Sequence, residues 1–293
     1  VIWVLTFAQN PVRLVSYFID GYILLEFKMS QSFQQRHQVY EAAYDNIIIN
    51  RLPIVIKLDG RSFSKLSENL QKPFDHNLTA IFNDTMLSLA KQIDGVIFGY
   101  QYSDKIIFIL KNDKTKDTDP WCGNKIQALA SLSASIATYE FMVHLWEMDP
   151  ILNLNGPISF KSKVWAIPDN NEIINQLILR QYACVQHAVN ESVHSVLKTK
   201  YGAETNQLLE GKTLEQRKQI LSESGISFDS LPKIYRNGSG VYLTPTLINT
   251  PQGQITKHKW LLDFELPIFI ENKEFIKTII TTGSDIFRPE RDL

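Results

Sequence analysis

The chain has 293 residues, 44% apolar and 21% charged, with 30 Lys+Arg against 31 Asp+Glu for a net charge of −1. That is too apolar for a disordered chain, and it carries no uniform basic field, so a nucleic-acid partner has to be met by local patches. Two cysteines, Cys122 and Cys184, exclude a disulfide scaffold and a cysteine-rich metal site and point to a reducing, cytoplasmic setting.

Residues 1–28 are apolar and aromatic, but Asn10-Pro11, Arg13 and Asp20 break every window of the ~20 apolar residues that a membrane span needs. No basic start or small-residue cleavage site marks a signal peptide. We expect this stretch to be an upstream extension outside the working protein, with an interfacial anchor as the alternative. The fold is expected to start at Met29, where a polar helical pattern opens, and no membrane partner is expected.

Pro53-Ile-Val-Ile-Lys-Leu58 reads as a strand leaving sharply through Asp59-Gly60. Asp75 can cap a helix whose apolar face is Leu78, Ile81, Phe82, Met86, Leu89, Ala90 and Ile93, ending at Asp94-Gly95. Strands follow at 96–102 and 106–110, joined through Ser103-Asp104-Lys105 as a tight hairpin. The polar run 112–119 is a loop, and a helix rich in small residues runs from about Asn124 to Trp146. Alternation of Ile158, Phe160, Val164 and Ala166 with Ser159, Lys161, Lys163 and Trp165 then predicts a half-buried strand.

This βαββαβ order is that of a ferredoxin-like plait. There the first and third strands are antiparallel central neighbours about 4.8 Å apart. The end of the first strand and the turn before the third share one sheet edge, which places Asp59 beside Asp104. Paired carboxylates at an edge suit Mg²⁺ and phosphoryl transfer, and Gly60 lets backbone approach a metal or phosphate. Each aspartate alone is an ordinary turn residue; their convergence is what signals chemistry. His187 and His194, seven apart on a helix, read as solvated or core residues, and both thiols read as buried. Lys212, Arg217, Lys218, Lys233 and Arg236 form either a solvated face or a nucleic-acid patch. Trp121, Trp146 and Trp165 are assigned to the core.

Leu58-Asp-Gly-Arg-Ser-Phe63, Lys72-Pro-Phe-Asp75 and Ser103-Asp104 together resemble the tRNA-His guanylyltransferase family, enzymes with a polymerase-like palm that add nucleotides in the 3′-to-5′ direction. The likeness continues through Pro120-Trp-Cys-Gly-Asn124, Ser131–Ser135, Arg180-Gln181, Gly211-Lys-Thr213, Gly225-Ile226, Leu231-Pro232 and Tyr235-Arg-Asn-Gly238. It implies a palm over 29–168 and a helical, tRNA-facing region over 169–293. It further implies two Mg²⁺ ions on Asp59 and Asp104 with the Gly60 carbonyl, and nucleotide contacts from Asp59, Gly60, Arg61, Ser62, Phe63, Ser64 and Ser103. Lys72, Asn124 and Lys125 would face the triphosphate. The implied reaction activates a tRNA 5′-phosphate with ATP or GTP, after which a nucleotide 3′-hydroxyl attacks. A homo-oligomer, a tetramer by resemblance, is implied as well.

The sequence departs from the family at named positions. Lys105 follows Ser103-Asp104 where the family has Glu; Ala128 replaces a Lys; Lys161 and Lys163 stand in the Phe160 strand; Ala183 and His187 follow Arg180-Gln181. Strand alternation leads us to expect that Lys105 points away from Asp104. The rival readings are a catalytically degenerate RNA-binding paralogue and a nucleotidyl cyclase-like palm; the C-terminal likeness argues against the latter.

Overall fold

The computed structural model describes residues 12–19, 22–29, 31–113, 118–148, 156–250 and 253–283. Two compact units separate, Val1–Ile47 and Ile48–Leu293. The first holds the antiparallel strands β1 (Val12–Ile19) and β2 (Tyr22–Met29), followed by helix α1 (Gln31–Ala42). Part of the expected extension is therefore a hairpin, and Met29 ends a strand rather than opening a helix. The signal was legible, because β-branched and aromatic residues recur through both runs, 12–19 and 22–29.

The second unit runs β3 (Ile54–Gly60), the single turn α2 (Phe63–Leu66), α3 (His76–Gln92), β4 (Val96–Tyr102) and β5 (Lys105–Leu110). A 3₁₀ turn at Trp121–Asn124 leads into α4 (Ile126–Met148), β6 (Phe160–Ala166) and the long α5 (Asn170–Tyr201). Then come α6 (Thr205–Leu209), α7 (Leu214–Glu223), α8 (Lys233–Asn237), the hairpin β7 (Ser239–Thr250) and β8 (Gly253–Asp263), and α9 (Lys273–Thr282). Asp75 caps α3, its Oδ1 accepting from the Leu78 N–H at 2.8 Å, as the sequence predicts.

The sheet order is β6-β3-β5-β4-β7-β8, and every neighbouring pair is antiparallel. Its first four strands are the ferredoxin-like plait, with β3 and β5 central. The C-terminal region is thus not purely helical, since β7 pairs with β4 over Ser239–Tyr242 and then continues with β8 alone. Pro245 lies in that two-stranded part, where a missing ladder donor is tolerated.

Strand alternation sorts side chains into two cores. Ile54, Ile56, Leu58, Ile106 and Phe108 pack with α3 and α4; Val55, Ile107 and Ile109 pack with α5 and α9. Burial on both faces explains why β3, β4 and β5 read as nearly continuous apolar runs. A smaller cluster of Val189, Val193, Leu197, Leu209 and Leu221 joins α5 to α6 and α7. Trp121 and Trp165 pack against the cores, but Trp146 is 68% exposed on the outer face of α4, contrary to expectation. Cys184 is buried, whereas Cys122 is only half-buried.

Candidate active site

The Ser103-Asp104 turn is shorter than the sequence suggests, because Lys105 already pairs with Tyr102 and with Asp59. Ser103 has φ 52°, the positive value that a two-residue hairpin requires of a central residue. Its carbonyl accepts from the Gln101 side chain at 2.8 Å. The Gly60 N–H donates to the Asp104 carbonyl at 2.8 Å, tying the turn to the end of β3. The two aspartates share one sheet edge, as the strand order demands.

Alternation puts Lys57 and Asp59 on the α5 side of the sheet, because Ile56 and Leu58 face α3 and α4. Asp59 lies directly across from Lys105 on β5 and Lys161 on β6; Lys57 lies across from Lys163. Lys57 Nζ is 2.8 Å from Asp59 Oδ1 and Lys105 Nζ is 2.5 Å from Asp104 Oδ1. The expectation that Lys105 points away is therefore overturned. Asp104 belongs to the turn, outside the pleat, so alternation does not separate it from the next residue. Burial pulls the Lys105 ammonium down, but the Asp104 charge and hydrogen bond, with help from Tyr102 and Asp59, outweigh it and raise its pKa.

The edge opens on a groove of about 1170 Å³ lined by Phe63, Ser64, Lys72, Ser103, Asp104 and Lys105 and, across it, by His187, Glu191, His194 and Lys198 of α5. This exceeds the ~300–1,000 Å³ typical of one small-molecule site. The α5 residues are spaced as one helical face, and sequence reasoning missed them as a groove wall. Burial holds His187 below the usual histidine range; Glu191 and Asp104 oppose this, while Lys105 and Lys72 add to it.

Distant motifs fix the groove. Phe74 stacks on Tyr235 at 4.2 Å and 9°, and the Gln71 N–H donates to Asp75, so the Lys72 loop is held from both sides. Gln181 accepts from the Phe269 N–H at 2.7 Å and donates to the carbonyls of Asn237 and Pro267. The Arg180-Gln181 and Tyr235–Gly238 motifs thus act here as locks between α5, α8 and the chain after β8.

The other candidates fall into three groups. Asp59, Gly60, Arg61 and Ser62 occupy the strand exit beside the groove without lining it, and Arg61 and Ser62 are exposed. Phe63 belongs to the core: it is 3% exposed and its ring meets Phe82, Phe141 and Phe160, with one edge at the groove. Gly60 serves that ring, since a Cβ there would lie 2.3 Å from Phe63 Cδ2; close packing of Phe63, not only approach of a ligand, calls for glycine. Asn124 and Lys125 are set apart. Asn124 borders a small cavity with Ile54 and Leu110, at the opposite end of β3 from Asp59, roughly 17 Å along five residues of strand. It is buried and donates to Asn50 at 2.9 Å, so in this chain it does not reach the groove.

The C-terminal cations do not form one patch. Arg217 donates to Asn190 and to the Leu209 carbonyl, pinning α7 to α5; Lys218 pairs with Glu215, Lys233 with Glu265 and Arg236 with Asp229.

An antiparallel βαββαβ sheet with two aspartates at the turn edge above a groove defines a palm-type domain. The family model for tRNAHis guanylyltransferase matches residues 34–168. A probable tRNA(His) guanylyltransferase of Dictyostelium discoideum is 25% identical over 237 residues, covering 78% of this chain and 90% of that protein. The tRNA(His) guanylyltransferase 1 of Arabidopsis thaliana is 24% identical over 204 residues, 68% of this chain. The chain spans about a third of the length of the two Arabidopsis relatives, 35% and 36%. Among solved structures, a bacterial tRNA(His) guanylyltransferase-like protein in complex with ATP gives a TM-score of 0.71 at 24% identity, covering 85% of this chain and 99% of that one. The Saccharomyces cerevisiae tRNA(His) guanylyltransferase gives 0.60 at 25% identity, covering 75% and 94%. The chain is thus similar to tRNA-His guanylyltransferases in sequence over residues 34–168 and in fold over most of its length.

Proposed function

We propose that this chain is a nucleotidyltransferase that adds a nucleotide, of GMP type, to the 5′ end of a tRNA in the 3′-to-5′ direction, taking ATP or GTP as substrates. The observation that carries this reading is the shared edge of Asp59 and Asp104 opening on the large groove, within the span that matches the tRNAHis guanylyltransferase model. The donor set fits Mg²⁺: two carboxylates, each side chain 25% exposed, offer oxygen ligands alone, and the Gly60 carbonyl would assist. When bound, Mg²⁺ supplies charge neutralisation to the phosphate oxygens.

The chain's own groups do the rest. Lys72, held in place by the Phe74–Tyr235 stack, meets the triphosphate, and Ser64 and Ser103 offer hydroxyls to the nucleotide. The groove's α5 wall and the region 169–293 receive the tRNA end, with Lys198 toward its backbone. Activation joins the tRNA 5′-phosphate to the α-phosphorus of ATP or GTP as pyrophosphate leaves; the incoming nucleotide's 3′-oxygen then bonds to the tRNA 5′-phosphorus as the activating nucleoside monophosphate leaves. The family likeness supports a homo-oligomer, a tetramer, and a cytoplasmic setting. Among the described residues no helix is long and apolar enough to cross a membrane.

The ion pairs on both aspartates favour one rival, the degenerate RNA-binding paralogue. Incubation with 5′-truncated tRNA, nucleoside triphosphates and Mg²⁺ separates the two. Extension with pyrophosphate release is expected; tRNA binding without either would establish the paralogue.

A further inference from the structure

The sheet edge already carries its own countercharge. Lys57 and Lys105 each contact one aspartate, at 2.8 and 2.5 Å, so two carboxylates face two ammonium groups before any ligand arrives. Lys161 adds a third cation directly across β6 from Asp59. Among the described residues no cluster of three His, Cys, Asp or Glu side chains offers a fuller metal cage. Two divalent ions ~3.5–4 Å apart normally need more negative charge than this edge presents, because like charges within ~4–6 Å oppose one another.

The lysines are not equivalent. Lys105 opens β5, its backbone is locked between Tyr102 and Asp59, and its ammonium lies 5.8 Å from the centre of the Tyr102 ring. The ammonium is thus held over the turn by the aspartate, the ring and the sheet. Lys57 is tied to the edge by its Asp59 contact, which a metal ion on that carboxylate would replace.

We infer that the Lys105 ammonium takes the place of one of the two metal ions the family likeness implies, so that this edge binds a single divalent cation together with the nucleotide. The inference rests on the nucleotidyltransferase reading of the groove. It makes the positive charge beside Asp104 a permanent part of the chain, and it leaves Asp59 as the principal carboxylate for the ion that the triphosphate brings.

Mn²⁺ provides a test that does not depend on turnover. The full chain is saturated with a non-hydrolysable ATP analogue and Mn²⁺, and its electron paramagnetic resonance spectrum is recorded, with analogue binding measured on the same samples by equilibrium dialysis. A spectrum of isolated Mn²⁺ is expected for the parent, and a dipolar-coupled pair for Lys105→Glu. Lys105→Gln, which only removes the charge, is expected to gain part of the coupled signal and serves if the glutamate variant fails to fold. A coupled pair in the parent, or isolated ions in both variants, would overturn the inference while leaving the groove reading standing. Failure of the analogue to bind would overturn the groove reading and this inference with it.

Discussion

The two ends of β3 are built from similar polar material and do opposite work. At Ile54, Asn124 lies among other amides: its Nδ2 donates to Asn50, its Oδ1 accepts from Asn112, and its carbonyl accepts from the Ile48 N–H. Every partner is supplied by the chain, so that end closes. At the Asp59 end each aspartate pairs with one lysine, Lys57 on Asp59 and Lys105 on Asp104; the Lys57 contact can be exchanged for the charge of a ligand, and the edge opens on the groove. An amide network around one buried side chain, Asn124, fixes structure because neutral groups satisfy each other. A partly exposed carboxylate–ammonium pair stays available, because water screens it and a stronger counterion can replace one partner.

The largest contrast should appear in activity. Asp104→Ala is expected to lower transfer to truncated tRNA by on the order of 100-fold or more, since it removes the carboxylate that holds positive charge in place at the reacting phosphates. Asn124→Ala is expected to leave transfer per folded chain unchanged while lowering unfolding free energy by about 1–3 kcal/mol, the loss of its two side-chain hydrogen bonds at roughly 0.5–1.5 kcal/mol each. Chemical denaturation beside the transfer assay would show both, and equal losses of activity would erase the distinction between the two ends.

Next in size is Gly60→Ala, expected to destabilise by about 1–3 kcal/mol. The added methyl meets the Phe63 ring, which the surrounding phenylalanines keep from swinging aside. A midpoint within error of the parent would show that the Asp59 end is more yielding than its packing implies.

A smaller effect follows from His187. Burial sets its pKa below the ordinary 6.5, so the unfolded chain binds more protons in the interval between the two values. Its contribution to stability is full above the unfolded value and is lost as pH falls through the folded one. Melting temperatures of His187→Gln should therefore decline less than those of the parent between about pH 7 and pH 5, and parallel curves would contradict the burial argument.

The smallest concerns the thiols. Burial pushes Cys184 up to about 12, while Cys122 is half-buried and raised more modestly, by burial first and then by Asp94. One label per native chain, on Cys122, is expected from a maleimide under mild conditions, with the second appearing only on unfolding.

The aspartate edge was legible because it depends on strand order and register, which β-branched runs and a capped helix announce. Asp75, the apolar face of α3 and the runs 54–60 and 96–110 suffice to bring Asp59 beside the Ser103-Asp104 turn. Hairpin β7–β8 escaped because the region after 168 was expected to be helical; Gly240 and Pro245 are poor strand formers, and the two strands are held by pairing with each other, with β4 joining only over Ser239–Tyr242. Lys105 was misdirected by extending the pleat into a turn residue. His187, Glu191 and His194 became a wall only through the packing of α5 on the sheet, which no local pattern encodes. Asn124 and Lys125 were carried by likeness of motif, and the register of β3 sends them to the other end.

Transfer of a single nucleotide to 5′-truncated tRNA, measured for the parent, Asp59→Asn and Asp104→Asn, tests the central claim most directly. These substitutions keep side-chain shape and remove only the charge. The account predicts extension with pyrophosphate release by the parent and its loss in both variants while each still binds tRNA. Parent activity retained in either variant would contradict the claim that this edge carries the chemistry.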